Sequence, residues 1–435
     1  MTTDRPAVLL VDPSRTTAGY KTAARAAGYL VVSLYTCTYT TTRDSHADGD
    51  DVTLYGGVND TGAPETAEEA EQAALTAVRE LRRAGLRIRA VIPALEVSTH
   101  IADRIAALLG LPGNDHTLAW ARRNKAAMRE RAHRAGLRIP EFRRVRSVSD
   151  IAAAAHEIGF PAILKPTLGS AAKGVTLLRN AEALCDLNHL ETHDAFDRPI
   201  REWLVEEYVR GPEIQANFYS FGGEHRLVDM WQYRQPDDRD YDFPIWDSVR
   251  IDESHPRWHE VERYVRQALD AYGIEHGPSH TEVKCAEDGV HLMEIASRLP
   301  GGPVVGMWEK HTDMNPFADG LSCFLGERPA TFDAPVAFHG SYGALAIRND
   351  DEPGTLSAIH GLDAVDALDG IDEVLIGYQP GDLVPVTSSG MNIPLGFYVS
   401  GSDGDAVLRT LATIRAEVSL EIARRPADRT EAQRS

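Results

Sequence analysis

The chain has 435 residues, which predicts two to four domains. Its hydrophobic content of 43% is that of a soluble globular protein, and no apolar run approaches the roughly 18 residues that span a membrane. The formal net charge of −20 argues against nucleic acid or an anionic membrane as a partner. The four cysteines are scattered and lack CxxC spacing, so neither a disulfide framework nor a zinc knuckle is expected. The N-terminal apolar run Ala7–Val11 predicts a first strand and not a signal peptide, and a reduced, cytoplasmic setting is expected.

Residues 1–115 alternate between strand and helix patterns. Ala7–Val11, Leu30–Leu34 and Ile88–Ile92 are short apolar runs typical of buried strands, whereas Glu65–Arg83 has an alanine-rich stripe at helical spacing. Repeated βα units imply a parallel sheet that binds ligands at the carboxyl ends of its strands. No GxGxxG follows the first strand, which disfavours a dinucleotide-binding oxidoreductase.

Residues 331–435 return to short strands and turns. Their last predicted strand is Gly396–Val399, and a helix is predicted over Asp405–Ala416. The polar tail Arg424–Ser435 is expected to fray.

The middle part, residues 116–330, contains the motifs that could bind a ligand or take part in catalysis. Lys165 closes the apolar strand Ala162–Pro166, and a lysine in that position needs a partner, for which a phosphate would serve. The loop that follows is rich in small residues, so its backbone can approach phosphate oxygens, and Ser170 and Lys173 can donate to them. It lacks the residue order of a P-loop, and a plain hairpin connection is the alternative.

Two glutamates predict a metal site. Glu282 and Glu294 lie on two predicted strands that are joined by the three-residue loop Glu287–Gly289. Pairing about Asp288 places the glutamates opposite each other, with Cβ atoms roughly 5 Å apart. A hard divalent cation would relieve their repulsion, and carboxylates with phosphate oxygens suit Mg²⁺. The alternative is a pair of exposed glutamates that are relieved by Lys284.

The order and spacing of these motifs resemble the ATP-grasp superfamily over about residues 110–305. The matching pieces are, in chain order, N-K-x-x-M-R from Asn124, G-F-P-A-I-L-K-P from Gly159, the small-residue loop, V-E-E-Y-V-R-G-x-E from Val205, H-T-E-V-K from His280 and M-E-I-A-S-R from Met293. The last two pieces look particularly like the L-amino-acid ligase branch, the bacilysin-synthetase type. One position departs from the superfamily pattern, since Ala296 stands where many members have a third metal ligand, and this leaves the number of metal ions open.

The resemblance implies an α/β fold with α+β parts. An N-terminal parallel α/β domain would cover residues 1–115, the ATP-grasp domain 116–330, and a C-terminal cap domain with the frayed tail 331–435. The implied ligands are ATP and Mg²⁺, with Mn²⁺ as an alternative. A homodimer is a further expectation.

The resemblance also assigns roles to single residues. Lys125 and Lys165 would bind the nucleotide phosphates, and Glu213 would accept from the ribose hydroxyls. The backbone of a hinge segment would read the adenine edge; its residues are Glu206, Glu207, Tyr208 and Val209. Solvated strand-edge positions are the alternative for these glutamates.

Arg298 could hold a phosphoryl group or a substrate carboxylate and, with Arg234, stabilise a tetrahedral oxyanion. An ordinary surface arginine is the alternative for Arg298. His280 could orient a substrate amine or carboxylate, or it could be a core histidine. Aromatic residues from Trp231 through Tyr241 and Trp246 are candidates either for an acceptor pocket or for core. Gly301 and Gly302 would leave room for a substrate side chain.

The function implied is an ATP-dependent carboxylate–amine ligase that forms an acyl phosphate and releases ADP and orthophosphate. It would join an amino acid to another amino acid or a related amine. One alternative is a carboxylase or purine-pathway ligase of the same superfamily, which would share the ATP site. Another is a non-catalytic nucleotide-binding module, which would be indicated by Glu282 turned towards solvent.

Overall fold

The structure is a computed structural model that describes residues 5–36, 49–56, 66–196, 198–235 and 246–424. Tyr241 and the predicted tail beyond Arg424 lie outside the described residues. The strands are, in chain order, β1 Pro6–Val11, β2 Leu30–Tyr35, β3 Val52–Tyr55, β4 Arg87–Pro93, β5 Phe142–Val145, β6 Ala162–Pro166, β7 Thr176–Leu178, β8 Trp203–Glu207, β9 Glu213–Phe221, β10 Glu224–Arg234, β11 Asp247–Ile251, β12 His276–Ala286, β13 Gly289–Ala296, β14 Ser341–Ile347, β15 Gly354–His360, β16 Ile371–Ile376, β17 Leu383–Val384, β18 Leu395–Gly401 and β19 Ser419–Arg424.

The α-helices of the described residues lie between these strands along the chain. They are α1 Gly19–Ala26, α2 Ala67–Arg83, α3 Thr99–Leu109, α4 Lys125–Arg134, α5 Val148–Ile158, α6 Trp258–Ala271, α7 Val304–His311, α8 Pro316–Leu325, α9 Leu362–Asp366 and α10 Gly404–Glu417. Within the described ranges, every helix is too short or too polar to span a bilayer.

The chain divides into two compact units. The first comprises Met1–Ser170, Gly174–Trp231 and Ile251–Phe338, and the second comprises Ala171–Lys173, Gln232–Arg250 and His339–Ser435. The predicted three-domain division at residues 115 and 330 stays a prediction.

The first unit opens with the parallel sheet that the βα pattern predicts. Its strand order is β3-β2-β1-β4, and β1 pairs in parallel with both β2 and β4. The α2 stripe packs on this sheet: Ala70, Ala74 and Val78 are buried, while Ala67, at the first turn, is exposed. Burial on both faces explains why the strands read as continuous apolar runs.

A small antiparallel sheet in the first unit positions Lys165. Its order is β5-β8-β6-β7, and Lys165 on β6 pairs with Leu204 on β8. The apolar side of the sheet packs against α5. The strand predicted over Ala162–Pro166 is confirmed.

The remaining sheet of the first unit, in the order β13-β12-β9-β10, has one apolar and one polar face. On the apolar face Ile214, Phe218 and Val283 pack with residues of α4 and α6 in one core cluster. Side chains alternate between faces along a strand, so residues next to these point the other way. The polar face therefore collects the odd-numbered residues of β9 and the even-numbered residues of β12, which include Asn217 and Glu282.

The β12–β13 hairpin differs from its prediction at the turn. Ala286 pairs with Gly289, so the loop has two residues and not three. The register then shifts by one at a β-bulge, and Glu282 still pairs with Glu294 as predicted. The extra residue of the bulge is Met293, and Gly289 has the positive φ (133°) that the turn requires.

The second unit contains two antiparallel groups of strands. One has the order β11-β14-β18-β16, and α10 packs Leu411 and Ile414 into its core with Phe397 and Val399. The other has the order β17-β15-β19. Strand β19 was not predicted: Arg424, assigned to the frayed tail, is its last residue.

Candidate active site

Lys165 is part of a buried ion-pair cluster. Its Nζ lies 2.6 Å from Glu206 Oε2, and Arg129 Nε donates to Glu206 Oε1 at 2.7 Å. All three side chains are buried. Burial alone would raise the pKa of Glu206, but Arg129 and Lys165 together lower it. Lys165 thus has a protein carboxylate as partner, and for Glu206 the alternative of a solvated strand edge is wrong.

Arg129 connects this cluster to the glutamate hairpin. Its Nη2 donates to the carbonyl oxygen of Met293, the bulged residue, at 2.9 Å. One guanidinium therefore fixes Glu206 on β8 and the backbone next to Glu294 on β13. The sequence signal was present, because Arg129 is the last residue of the N-K-x-x-M-R motif, four residues after Lys125 on α4.

Lys125 contacts both the small-residue loop and the glutamate pair. Its Nζ lies 3.1 Å from Glu294 Oε1 and donates to the Gly169 carbonyl at 3.2 Å. Its backbone N–H donates to the Thr167 carbonyl, while Asn124 caps the helix by accepting from Ala127 N–H. The start of α4 thus places an ammonium group beside Glu294.

Glu282 and Glu294 face each other and are partly accessible, with 24% and 22% of their side chains exposed. Burial raises the pKa of Glu294. The positive charge of Lys125 opposes this rise, and the negative charges of Glu96 and Glu282 add to it. Such a pair fits a hard cation whose other ligands come from phosphate and water. Within the described ranges, no group of three or more acidic, histidine or cysteine side chains could hold a metal ion by itself. A non-catalytic module was expected to turn Glu282 towards solvent, whereas Glu282 faces Glu294 in the structure.

Glu213 and Lys284 are cross-strand neighbours on the same polar face. Lys284 Nζ lies 3.7 Å from Glu213 Oε2 and 5.3 Å from the centroid of the Tyr208 ring. Burial raises the pKa of Glu213 to about 7; Lys284 opposes this rise and Glu282 adds to it. Lys284 therefore contacts Glu213, the predicted ribose ligand, and the hinge residue Tyr208.

Arg298 is held by the carboxylate of Glu96, which was not among the predicted site residues. Its Nη2 donates to Glu96 Oε2 at 2.5 Å, and Arg123 Nη1 lies 3.6 Å from the other oxygen of Glu96. Burial alone would raise the pKa of Glu96, but Arg298, Lys125 and Arg123 lower it to about 2. Only 17% of the Arg298 side chain is exposed, so the alternative of an ordinary surface arginine is wrong. Glu96 follows the carboxyl end of β4, the edge where a parallel sheet binds ligands, and that position was the available signal.

His280 belongs to a chain of buried polar side chains. Its Nδ1 lies 2.8 Å from Asn217 Oδ1, and Asn217 Nδ2 donates to Asp229 Oδ1 at 2.7 Å. Its Nε2 lies 3.4 Å from Glu282 Oε1. Asn217 on β9 and Asp229 on β10 were not among the predicted site residues.

Comparisons with known proteins agree with this geometry. Residues 158–305 match the family model of an ATP-grasp domain, and residues 350–423 match L-amino acid ligase C-terminal domain 2. The chain therefore contains an ATP-grasp domain followed by an L-amino acid ligase C-terminal domain. The predicted resemblance to the L-amino-acid ligase branch of the ATP-grasp superfamily and the predicted fold class are thereby confirmed.

Two curated relatives of this ATP-grasp protein match over most of the chain. "Uncharacterized protein y4rH" of Sinorhizobium fredii is 29% identical over 307 residues, which cover 70% of this chain and 61% of the relative. The "L-arginine-specific L-amino acid ligase" of Bacillus subtilis is 25% identical over 302 residues, which cover 68% of this chain and 70% of the relative. Among solved structures, the L-amino acid ligase from Bacillus licheniformis aligns with a TM-score of 0.72 at 18% identity, over 97% of this chain and 100% of that chain, and this likeness concerns the fold.

The other predicted site residues of the ATP-grasp protein lie as follows. Ser170 and Lys173 are half-buried in the small-residue loop, in which Ala171 and Ala172 both adopt φ of 55°. In the hinge, Glu207 is exposed and Val209 is buried. Gly301 and Gly302 are exposed and border open space.

Arg234 and Trp231 both lie on β10. Arg234 lies in the second unit, where its charge lowers the pKa of Asp247. Its predicted role at the oxyanion stays a prediction. Trp231 is fully buried and donates to Asp229, so it belongs to the core and does not line an acceptor pocket.

Proposed function

We propose that this ATP-grasp protein is an ATP-dependent carboxylate–amine ligase that joins an amino acid to a second amino acid or related amine. The observation that supports it is the arrangement in the first unit of Lys125, Lys165 and Arg298 with the facing pair Glu282 and Glu294. Three cations and a potential metal site suit a polyphosphate and the charge that develops when its terminal group is transferred. The match to an L-amino acid ligase C-terminal domain favours amino acids as the substrates.

We propose for each residue the role that the resemblance to the ATP-grasp superfamily implies. Lys125 and Lys165 would contact the phosphates, Glu206 to Val209 would present their backbone to adenine, and Glu213 would accept from the ribose. Ser170 would donate to the phosphates, and the predicted role of Lys173, which lies in the second unit, stays a prediction. Mg²⁺, or Mn²⁺ as the alternative, would be held by Glu282 and Glu294 and would neutralise charge on the β- and γ-phosphates when bound.

The reaction would proceed in two balanced steps. A carboxylate oxygen of the first substrate attacks the γ-phosphorus of ATP. The bond between this phosphorus and the β-phosphate oxygen breaks, so an acyl phosphate forms and ADP is released. The free amine of the second substrate then attacks the acyl carbon, the bond to the phosphate oxygen breaks, and the nitrogen loses one proton to give the amide and orthophosphate. Arg298 would stabilise the transferring phosphoryl group and then the tetrahedral oxyanion.

The test is incubation with ATP and each pair of amino acids, with phosphate release measured and the product identified by mass. The proposal expects amino-acid-dependent phosphate release and a product mass equal to the sum of the two substrates less one water. Phosphate release that requires bicarbonate or a purine precursor instead would indicate the carboxylase or purine-pathway alternative. ATP binding without turnover on any substrate pair would indicate a non-catalytic module. A homodimer and a cytoplasmic location stay predictions.

A further inference from the structure

Three buried side chains of the first unit have polar atoms without hydrogen-bond partners. Arg123 is 1% exposed, and in the described part of the chain its Nε, Nη1 and Nη2 meet no acceptor at hydrogen-bond distance. Among the same residues, Nη1 of Arg198 and both ring nitrogens of His100 are also buried without a partner. Buried polar groups of folded proteins are almost always hydrogen-bonded, so each of these side chains requires an explanation.

The three side chains form one cluster. Arg198 is brought there by its loop, in which Phe196 forms a small hydrophobic core with Val97, three residues before His100. Burial lowers the pKa of His100, and the positive charges of Arg123 and Arg198 lower it further. The ring is therefore neutral at pH 7 and has one N–H that it can donate. The cluster thus offers donors from two guanidiniums and one imidazole.

The carboxylates that contact these arginines do not balance their charge. Glu96 Oε1 lies 3.6 Å from Arg123 Nη1, whereas Glu96 Oε2 accepts from Arg298 at 2.5 Å. Asp194 pairs with Arg198 and also accepts from two backbone N–H groups. Burial and the charge of Arg198 lower the pKa of Arg123 to about 10, although Glu96 and Asp194 oppose this. Three guanidiniums thus share two carboxylates, and these contacts leave one positive charge unbalanced.

A cavity of about 640 Å³ leads to the cluster, and its lining includes Trp120 and Arg198. The ring of His100 lies edge-on to that of Trp120, with 5.6 Å between the centroids, and Arg123 N–H donates to the Trp120 carbonyl at 3.1 Å. Elsewhere the lining carries three arginines and three glutamates, so a preference for an anion would arise at the Arg198 end. An ion that enters the cavity meets Arg198 there, beside the other two members of the cluster.

We propose that a monovalent anion, either a halide ion or the carboxylate group of a small organic acid, binds between Arg123, Arg198 and His100. A water molecule could accept from one guanidinium, but it supplies no charge and its own protons would need acceptors. An anion supplies both the acceptor and the charge, and hydrogen bonds between charged partners are roughly twice as strong as neutral ones. A single negative charge matches the one that the carboxylates leave unbalanced. This site is independent of the proposed ligase function.

The effect of anions on unfolding measures this binding without any substrate. The protein is kept in sulfate buffer at a constant ionic strength of about 0.15 M, and bromide or formate replaces sulfate while denaturant unfolding is followed. Above its Kd, one ion that binds only the folded protein lowers the unfolding equilibrium constant about tenfold for each tenfold rise in its concentration. We expect this slope with at least one of the two anions, and the anion that produces it at the lower concentration identifies the source. A slope near zero with both anions overturns the proposal.

Two arginine variants show whether the effect belongs to the cluster. Arg123→Gln removes one guanidinium and leaves Glu96 with Arg298, so the slope should fall close to zero. Arg104→Gln is the matched control, because it removes the same charge from α3, where Arg104 already donates through Nε and Nη2 to Glu71. It should keep the slope of the parent. Equal slopes in the parent and Arg123→Gln would show that the anion acts elsewhere and would overturn the proposal.

Crystals of the parent locate the ion directly. Bromide is identified by its anomalous scattering, and formate by planar density that bromide displaces or fails to displace. We expect one of them at hydrogen-bond distance from guanidinium nitrogens of both Arg123 and Arg198. Water alone between these side chains in both crystals overturns the proposal, and this result is decisive even if Arg123→Gln does not fold.

Discussion

At the scale of single residues, the cations of the site are positioned by buried carboxylates before any nucleotide binds. Lys165→Ala removes one of these cations and leaves Glu206 paired with Arg129, so the fold should be retained. We expect ATP affinity to fall by at least about tenfold, or about 1.4 kcal/mol, when measured by calorimetry. Lys310→Ala, at an exposed position of α7, is the control and should bind like the parent. Equal affinity in Lys165→Ala and the parent would show that Lys165 is structural.

Glu213 gives a prediction about pH at the same scale. Burial raises its pKa in the folded protein from 4.5 to about 7, so folding favours its protonated form. Its contribution to stability is therefore complete below about pH 4.5 and is lost as the pH rises through 7. Glu213→Gln cannot ionise, and its free energy of unfolding relative to the parent should rise between pH 5 and pH 8 by on the order of 2 kcal/mol. Denaturant unfolding at both pH values measures this, and a difference that is independent of pH would contradict it.

At the scale of elements, the β12–β13 hairpin presents the two glutamates, and the bulge at Met293 sets their register. Glu294→Gln keeps the volume and removes one charge from the pair. We expect ligase activity to fall by at least about 100-fold, as for the loss of a preorganised electrostatic group. Glu287→Gln is the matched control, because Glu287 is exposed in the loop of the same hairpin. Activity of Glu294→Gln within a few-fold of the parent would remove Glu294 from the site.

The elements also show what the sequence could predict. The hairpin was predictable because its pattern is local, and the glutamate pairing survived an error in the loop length because the bulge compensates for it. The contact between Glu96 and Arg298 joins residues 202 positions apart, and that between Arg129 and Glu206 joins residues 77 apart. Such contacts depend on how whole sheets and helices pack, and no spacing rule applies to them. Strand β19 was missed although Leu420 and Ile422 alternate with polar residues, because so short a pattern directly after α10 does not distinguish a strand from the end of the helix.

At the scale of the whole molecule, a chain with a net charge of −20 concentrates cations where a nucleotide would bind. Lys125 contacts Glu294, Lys165 contacts Glu206 and Arg298 contacts Glu96. Each acid orients a cation and limits the repulsion between cations. A polyphosphate would place further negative charge beside these cations, and transfer of its terminal phosphoryl group is the step that they can stabilise.

The central claim is that a carboxylate is activated as an acyl phosphate, with cleavage between the β- and γ-phosphates. The most direct measurement uses a carboxylate substrate labelled with ¹⁸O, ATP and the acceptor amine, followed by mass analysis of the phosphate products. The label should appear in orthophosphate, with ADP as the nucleotide product, because one carboxylate oxygen stays on phosphorus when the amide forms. Label in AMP, or coupled turnover with no label in orthophosphate, would contradict the mechanism.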